Sequence, residues 1–315
     1  MVMTIAFGPV PSRRLGRSIG VNNIPAKTCS YSCVYCQVGN TVNMGIERKE
    51  FYETAAIFEA VERKVREAIA RSEPVDFLTF VSDGEPTLDI HLGKTIAALK
   101  PLGVKIGVIS NASLIWQSEV RVALQKADWV SLKIDAVSQA VWRRINRPHR
   151  SLSLDRILEG ISLFSATHQG EWTTETMLVR GVNDDDLEVE KVARFISGLN
   201  PARSYLSIPI RPPAVKSVKS PEEEAINRAY QIFREKSIDV EYLIGYEGNA
   251  FASTGEAVSD LLGITSVHPM REDAVDRLLS RSGAGWSLVD KLIAEGSLVK
   301  VEYGDATFFV RRLPG

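Results

Sequence analysis

Apolar positions along the first 240 or so residues switch between two periods. Between residues 54 and 71, Ala56, Ile57, Ala60, Val61, Val65, Ala68 and Ile69 return every three or four positions, with Glu62, Arg63 and Arg66 facing away. That spacing predicts an amphipathic helix. Pro74 punctuates it, and VDFLTFV at 75–81 reads as a buried strand. The alternation then repeats. Helices predicted near 89–100, 116–126, 153–168, 185–198 and 221–236 lead to strands at 104–109, 129–134, 172–179, 205–210 and 240–244. A shorter apolar strand surrounds Ile19 and Val21, inside a segment (7–26) of turn formers that also carries Arg13, Arg14 and Arg17. Repeated strand–helix units build a parallel sheet covered by helices. Six or seven strands are too few for a complete eightfold barrel. The expected fold class is therefore α/β, an open partial barrel over residues 1–250.

Beyond about residue 254 the pattern changes. Helices are expected near 255–262, 271–281 and 286–296, then two short strands at 298–303 and 306–312 joined by Gly304-Asp305, a suitable two-residue hairpin turn. Three helices and a hairpin resemble a winged-helix module, so residues 251–315 are expected to form a second, small domain. Such modules usually meet nucleic acid. Here residues 271–315 carry seven basic and seven acidic side chains, and the helix that would read DNA bears Asp290 and Glu295. That balance argues against DNA binding and favours a protein- or peptide-docking role.

The whole chain is 44% hydrophobic and 24% charged with a net charge of −1, so no global basic field gathers nucleic acid. The amino terminus lacks the apolar core of a signal peptide, and no apolar run is long enough to span a membrane. The expectation is a cytoplasmic protein without a membrane partner.

All three cysteines, Cys29, Cys33 and Cys36, fall within eight residues in a CxxxCxxC string. They leave one thiol over in any disulfide pairing. A thiolate-only set suits iron–sulfur or zinc rather than magnesium or calcium. Structural zinc and ordinary iron–sulfur clusters take four ligands, so one metal position would stay open here. A zinc knuckle completed by a distant histidine, or three unrelated buried thiols, are the alternatives. The chemistry of such folds sits at the strand ends. Ser82-Asp83-Gly84-Glu85-Pro86-Thr87 follows the strand at 75–81, and Ser110-Asn111 follows the strand at 104–109. In the strand at 129–134, period two places Val130, Leu132 and Ile134 on one face and Ser131, Lys133 and Asp135 on the other. A central parallel strand should be apolar on both faces, so this polar face calls for a ligand or a satisfied internal salt bridge. Arg143, Arg144, Asn146, Arg147 and His149 form a basic run that also reads as an exposed turn. Glu175 and Arg211 are further inward-facing candidates, and the four histidines show no metal-ligand spacing.

The cysteine string, with Tyr35 just before its last member, resembles the signature of the radical S-adenosylmethionine (SAM) superfamily, and the likeness extends over about residues 5–250. It implies an open (β/α)6 TIM-like barrel whose Cys29, Cys33 and Cys36 hold a [4Fe-4S] cluster, with SAM chelating the fourth iron. It implies an enzyme that cleaves SAM to a 5′-deoxyadenosyl radical, which abstracts hydrogen from a substrate. A reductant such as flavodoxin or ferredoxin is implied as well. By the same resemblance, Asp83, Gly84, Glu85 and Pro86 stand for a GGE-type turn that accepts the SAM amino group, with Asp83 replacing the first glycine. Asn111 and Ser131 become cofactor contacts, and Arg147 a partner for a carboxylate. Lys133 and Asp135 are the candidate catalytic residues. The segment FGPVPSRRLGRSIGV looks most like a radical SAM group placed near the wyosine-type tRNA synthases. Those synthases carry a second cluster, for which this chain has no cysteines to spare. The substrate, a protein, an RNA or a small molecule, is left open. A metal-sensing winged-helix regulator and a glycyl-radical activase are the rival functions.

Overall fold

Seven strands run parallel, side by side in sequence order, and an eighth lies antiparallel along one edge. The computed structural model describes residues 5–81, 83–243, 256–267 and 269–312. Ser82, Ile244, His268 and the expected domain boundary at 250 lie outside the described residues. The edge strand is β1 (Ala6–Ser12). The parallel set is β2 (Gly16–Val21), β3 (Phe77–Phe80), β4 (Lys105–Ser110), β5 (Trp129–Lys133), β6 (Glu171–Met177), β7 (Arg203–Ser207) and β8 (Val240–Leu243). Helices fill the crossovers: α1 (Thr54–Ala70), α2 (Leu92–Leu99), α3 (Ser118–Leu124), α4 (Gln139–Asn146) with α5 (Leu154–Thr167), α6 (Asp186–Ser197) and α7 (Glu223–Glu235). Six strand–helix units and a final strand give the expected partial barrel, its order linear and open among the described residues.

Three elements depart from expectation. Residues 6–12 contain two prolines and read as turn, yet they form β1. Proline is tolerated there because the strand lies at a sheet edge. The basic run at 143–149 is exposed at Arg143, Arg144 and Arg147 as expected, but it is helix rather than turn over its first part. Most of it belongs to α4, where Trp142 and Ile145 face the core, and the helix ends at Arg147 in the left-handed region (φ 43°). The expected helix at 89–100 starts late, because Pro86–Leu88 forms a separate 3-10 turn and the Asp89 carboxylate accepts the His91 N–H at 2.8 Å.

The turn between β1 and β2 ties the first strands to the later ones. Leu15 packs with Trp129, Tyr205 and Leu243, and the Arg13 guanidinium donates to the Leu243 carbonyl of the last strand. The carboxyl-terminal ends of the strands carry the loops of the site.

The tail forms α8 (Ala257–Val267), a short strand Met270–Arg271, α9 (Glu272–Arg281), α10 (Trp286–Ala294) and the hairpin β9 (Leu298–Tyr303) and β10 (Ala306–Arg311). Its sheet places Met270–Arg271 beside β10 and β10 beside β9, and Gly304 supplies the positive φ the turn requires. Leu261, Ile264, Leu278, Val289 and Phe309 share one core with Phe7 and Val10 of β1. The Tyr303 hydroxyl donates to the Pro209 carbonyl at 3.0 Å, and Arg281 pairs with Glu73 at 3.0 Å. The tail is therefore packed onto the barrel edge. No helix among the described residues is long and apolar enough to cross a membrane.

Candidate active site

A cavity of about 340 Å³ opens at the carboxyl-terminal ends of the strands. Cys29, Cys33 and Cys36 line it from a loop that joins β2 to α1. The loop is fixed at several points: Ser32 N–H donates to the Asn146 carbonyl at 3.0 Å, Val34 N–H to the Ile145 carbonyl at 2.9 Å, and Gly45 N–H to the Cys29 carbonyl at 3.1 Å. All three thiols are free and partly buried. Burial pushes each thiol pKa up, Cys33 to about 12, and the carboxylates of Glu85 and Asp135 add to this at Cys29 and Cys33. A metal loaded there must displace protons. Three free thiols lining one cavity are a donor set that suits an iron–sulfur cluster.

The turn after β3 forms the facing wall. Gly84 passes so close to the cysteine loop that a Cβ would lie 1.8 Å from the Thr28 carbonyl oxygen, and Glu85 N–H donates to that oxygen at 3.2 Å. Asp83 lines the cavity, and its Oδ1 is buried with no hydrogen-bond partner. Burial pushes its carboxyl up to about 7, against the opposing pull of Arg311 from the tail. Glu85, by contrast, is fully engaged. It accepts from Thr87 N–H at 3.0 Å, Thr87 Oγ1 at 2.6 Å, Ser110 Oγ at 2.8 Å and Asn111 N–H at 2.7 Å. Its carboxylate locks the turn after β3 to the turn after β4.

On the opposite side a buried ionic network crosses the barrel. Lys133 Nζ lies 3.0 Å from Glu175 Oε1, and Arg14 pairs with Glu175 Oε2. Ser207 Oγ also donates to Glu175 at 3.0 Å. Burial works to raise the Glu175 carboxyl, but the two cations outweigh it and hold the group well below the usual carboxylate range. Burial likewise opposes the charge of Lys133, and Glu175 and Asp135 more than compensate, so its pKa is raised. Lys133 is a protonated cation resting over the Tyr35 ring, 5.0 Å from its centroid. Arg14 also lines the cavity and lies near the rings of Trp129 and Tyr205. Arg211, at the cavity wall, donates to Gln37 of the cysteine loop at 2.7 Å.

The structure brings Cys29, Tyr35, Asp83, Gly84, Glu85, Asn111 and Lys133 to one cavity. Pro86, Ser131, Asp135 and Arg147 are not among the residues that line it. Pro86 opens the 3-10 turn, and Ser131 is fully buried, its hydroxyl 3.4 Å from Arg14. Asp135 lies behind the cysteine loop, where it accepts from the Tyr35 hydroxyl, from Asn146 Nδ2 at 2.7 Å and from Met177 N–H at 2.9 Å. Arg147 caps α4. Of the two alternatives for the polar face of β5, the internal salt bridge is realised at Lys133, and Asp135 is taken up by protein partners rather than by the cavity. The sequence reading missed that Asn146 donates to Cys33 Sγ at 3.4 Å. The two residues are 113 positions apart, and no local pattern links them.

Comparison with known proteins accords with this architecture. The Radical SAM superfamily model matches residues 23–193. A UPF0026 protein of Methanocaldococcus jannaschii is 46% identical over 99% of this chain and 97% of its own length. A UPF0026 protein of Helicobacter pylori is 37% identical over 70% of this chain and 71% of its own. Among solved structures, a radical SAM methyltransferase from Sphaerobacter thermophilus superposes with a TM-score of 0.56 at 19% identity, covering 72% of this chain and 66% of that one. TYW1 with a lysine–pyruvate adduct superposes with a TM-score of 0.51 at 17% identity, covering 69% and 73%. These structural likenesses speak for the fold alone. Motif, barrel and relatives converge, and the chain belongs to the radical SAM superfamily and, within it, to the UPF0026 proteins.

Proposed function

We propose that Cys29, Cys33 and Cys36 hold a [4Fe-4S] cluster and that SAM binds between it and the wall formed by Asp83, Gly84 and Asn111. The observation that carries this reading is the placing of three free cysteines in one cavity that is also lined by Asp83, a buried carboxylate with Oδ1 unpaired. When bound and reduced, the cluster supplies the electron that cleaves SAM to a 5′-deoxyadenosyl radical, which abstracts hydrogen from the substrate. Asp83 accepts the ammonium group of SAM, the one ligand that satisfies its orphaned oxygen and lets it ionise. Gly84 permits the close approach. Glu85 holds the two turns together and leaves ligand contact to its neighbours. Lys133, with Arg211, presents positive charge to the anionic groups of SAM or substrate. Asp135 is a positioning residue for Tyr35.

We read the tail, three helices and a hairpin, as a winged-helix-like module that docks a protein or RNA substrate. We place the activity in the cytoplasm, with a flavodoxin- or ferredoxin-type reductant. The test is anaerobic: reconstitution with iron and sulfide, addition of SAM and dithionite, and mass spectrometry of the nucleosides. Cluster-dependent 5′-deoxyadenosine, absent from the Cys29/Cys33/Cys36→Ala triple variant, is the expected result. Stoichiometric zinc with no SAM cleavage would overturn the reading and favour a metal-sensing regulator.

A further inference from the structure

Amide N–H groups surround the cysteine sulfurs, and at two of the three the donor is an asparagine side chain from a distant element. Asn146, the last residue of α4, places Nδ2 3.4 Å from Cys33 Sγ. Asn111, after β4, places Nδ2 3.5 Å from Cys29 Sγ and 3.1 Å from Ser30 Oγ. Backbone N–H groups of Val38 and Gly39 serve Cys36, and that of Tyr31 serves Cys29. Asn146 is the more constrained of the two asparagines. It is 3% exposed, and the same Nδ2 lies 2.7 Å from Asp135 Oδ2. A carboxylate oxygen accepts and never donates when ionised, so Asp135 dictates that the nitrogen of the amide, and not its oxygen, faces the sulfur. Asp135 is itself held by Met177 N–H at 2.9 Å and by the Tyr35 hydroxyl, and its backbone carbonyl accepts from Asn183 at 2.8 Å.

Hydrogen bonds to ligating sulfur are one of the levers by which a protein sets a cluster's reduction potential. They withdraw negative charge from the thiolate and favour the reduced, more negative state. We propose that Asn146, oriented by Asp135, and to a smaller degree Asn111, raise the reduction potential of the cluster bound by Cys29, Cys33 and Cys36, so that a mild biological reductant can load it. The inference rests on the cluster reading above. It gives Asp135 and Asn146 a role that neither residue's distance from the cavity suggests: they act on the metal through its ligand, as partners behind a metal-bound residue do.

The experiment is an EPR-monitored redox titration of the reconstituted protein without SAM, comparing wild type with Asn146→Leu and Asn111→Leu. The expected result is a shift to more negative midpoint potential in Asn146→Leu and a smaller negative shift in Asn111→Leu. A second measurement needs no variant. Pulsed EPR of reduced wild-type protein labelled with ¹⁵N only at asparagine side-chain amides should show a nitrogen coupled to the cluster. A cluster that forms normally, with unchanged midpoints and no coupled amide nitrogen, would overturn this inference and leave the cluster reading intact. Absence of any cluster in the wild type would remove both.

Discussion

Glu175 stands between two cations, one at each of its carboxylate oxygens. Lys133 Nζ meets Oε1 at 3.0 Å, and Arg14 meets Oε2. The three groups are largely buried, and together they leave one excess positive charge at the site. The wall opposite holds Asp83 with an orphaned oxygen. The cavity is therefore polarised across its width, which suits a zwitterionic ligand such as an amino acid conjugate.

Removing the shared anion should hurt more than removing one cation. In Glu175→Gln, Arg14 and Lys133 are left buried without a counter-charge, and a loss of about 3–5 kcal/mol is expected. In Lys133→Met, Glu175 keeps Arg14, and the loss should be nearer 2 kcal/mol. Urea unfolding at neutral pH would rank them, and equal losses would contradict the shared-anion arrangement. Because the Glu175 pKa is depressed on folding, its contribution is present above the ordinary carboxylate range. It is lost only as the pH falls below about 4.3 and on towards its folded value.

Asp83 should behave in the opposite sense. Its folded pKa is raised to about 7, so its contribution is fully present below the unfolded value near 3.8 and is lost as the pH rises through 7. Ligand-free protein is expected to lose up to about 4 kcal/mol from this group over that range. Asp83→Asn should flatten the dependence and be the more stable form at pH 8. It should also bind SAM at least tenfold more weakly by calorimetry. A variant with the wild-type pH profile would show that the carboxylate is paired.

Gly84→Ala places a methyl group 1.8 Å from a backbone oxygen beside Cys29. Neither partner can rotate away, so a loss above about 3 kcal/mol and a displaced cysteine loop are expected. Gly45→Ala in the same loop is the control, since a Cβ there meets nothing within 4 Å. Iron content after reconstitution should fall sharply in the first variant and stay at wild-type level in the second.

Phe7 is counted by sequence with the barrel but packs into the core of the tail. Phe7→Ala should cost about 3–5 kcal/mol. Hydrogen exchange should then show β1 and the helices at 257–281 losing protection together. Loss confined to the tail would mean that the two parts unfold independently.

What the sequence determined by itself was whatever depends on near neighbours along the chain. Strand and helix periods are set by backbone geometry, so the six strand–helix units could be read from apolar spacing. The CxxxCxxC string and the Asp83-Gly84-Glu85 turn could be read because their chemistry is packed into a few consecutive residues. Period two also put Ser131, Lys133 and Asp135 on one face of β5, yet it could not say what each would meet there. Lys133 found Glu175, Ser131 found Arg14, and Asp135 found Asn146 and Tyr35. Those partners lie between 11 and 117 positions away along the chain. Sheet order, barrel curvature and the fold of the β1–β2 turn decide which of them come within hydrogen-bond range. The same holds for Asn146 at the Cys33 sulfur and for Phe7 in the tail. Local pattern fixes which way a side chain points along its own element, while closure of the barrel, a property of all strands together, fixes what stands in front of it.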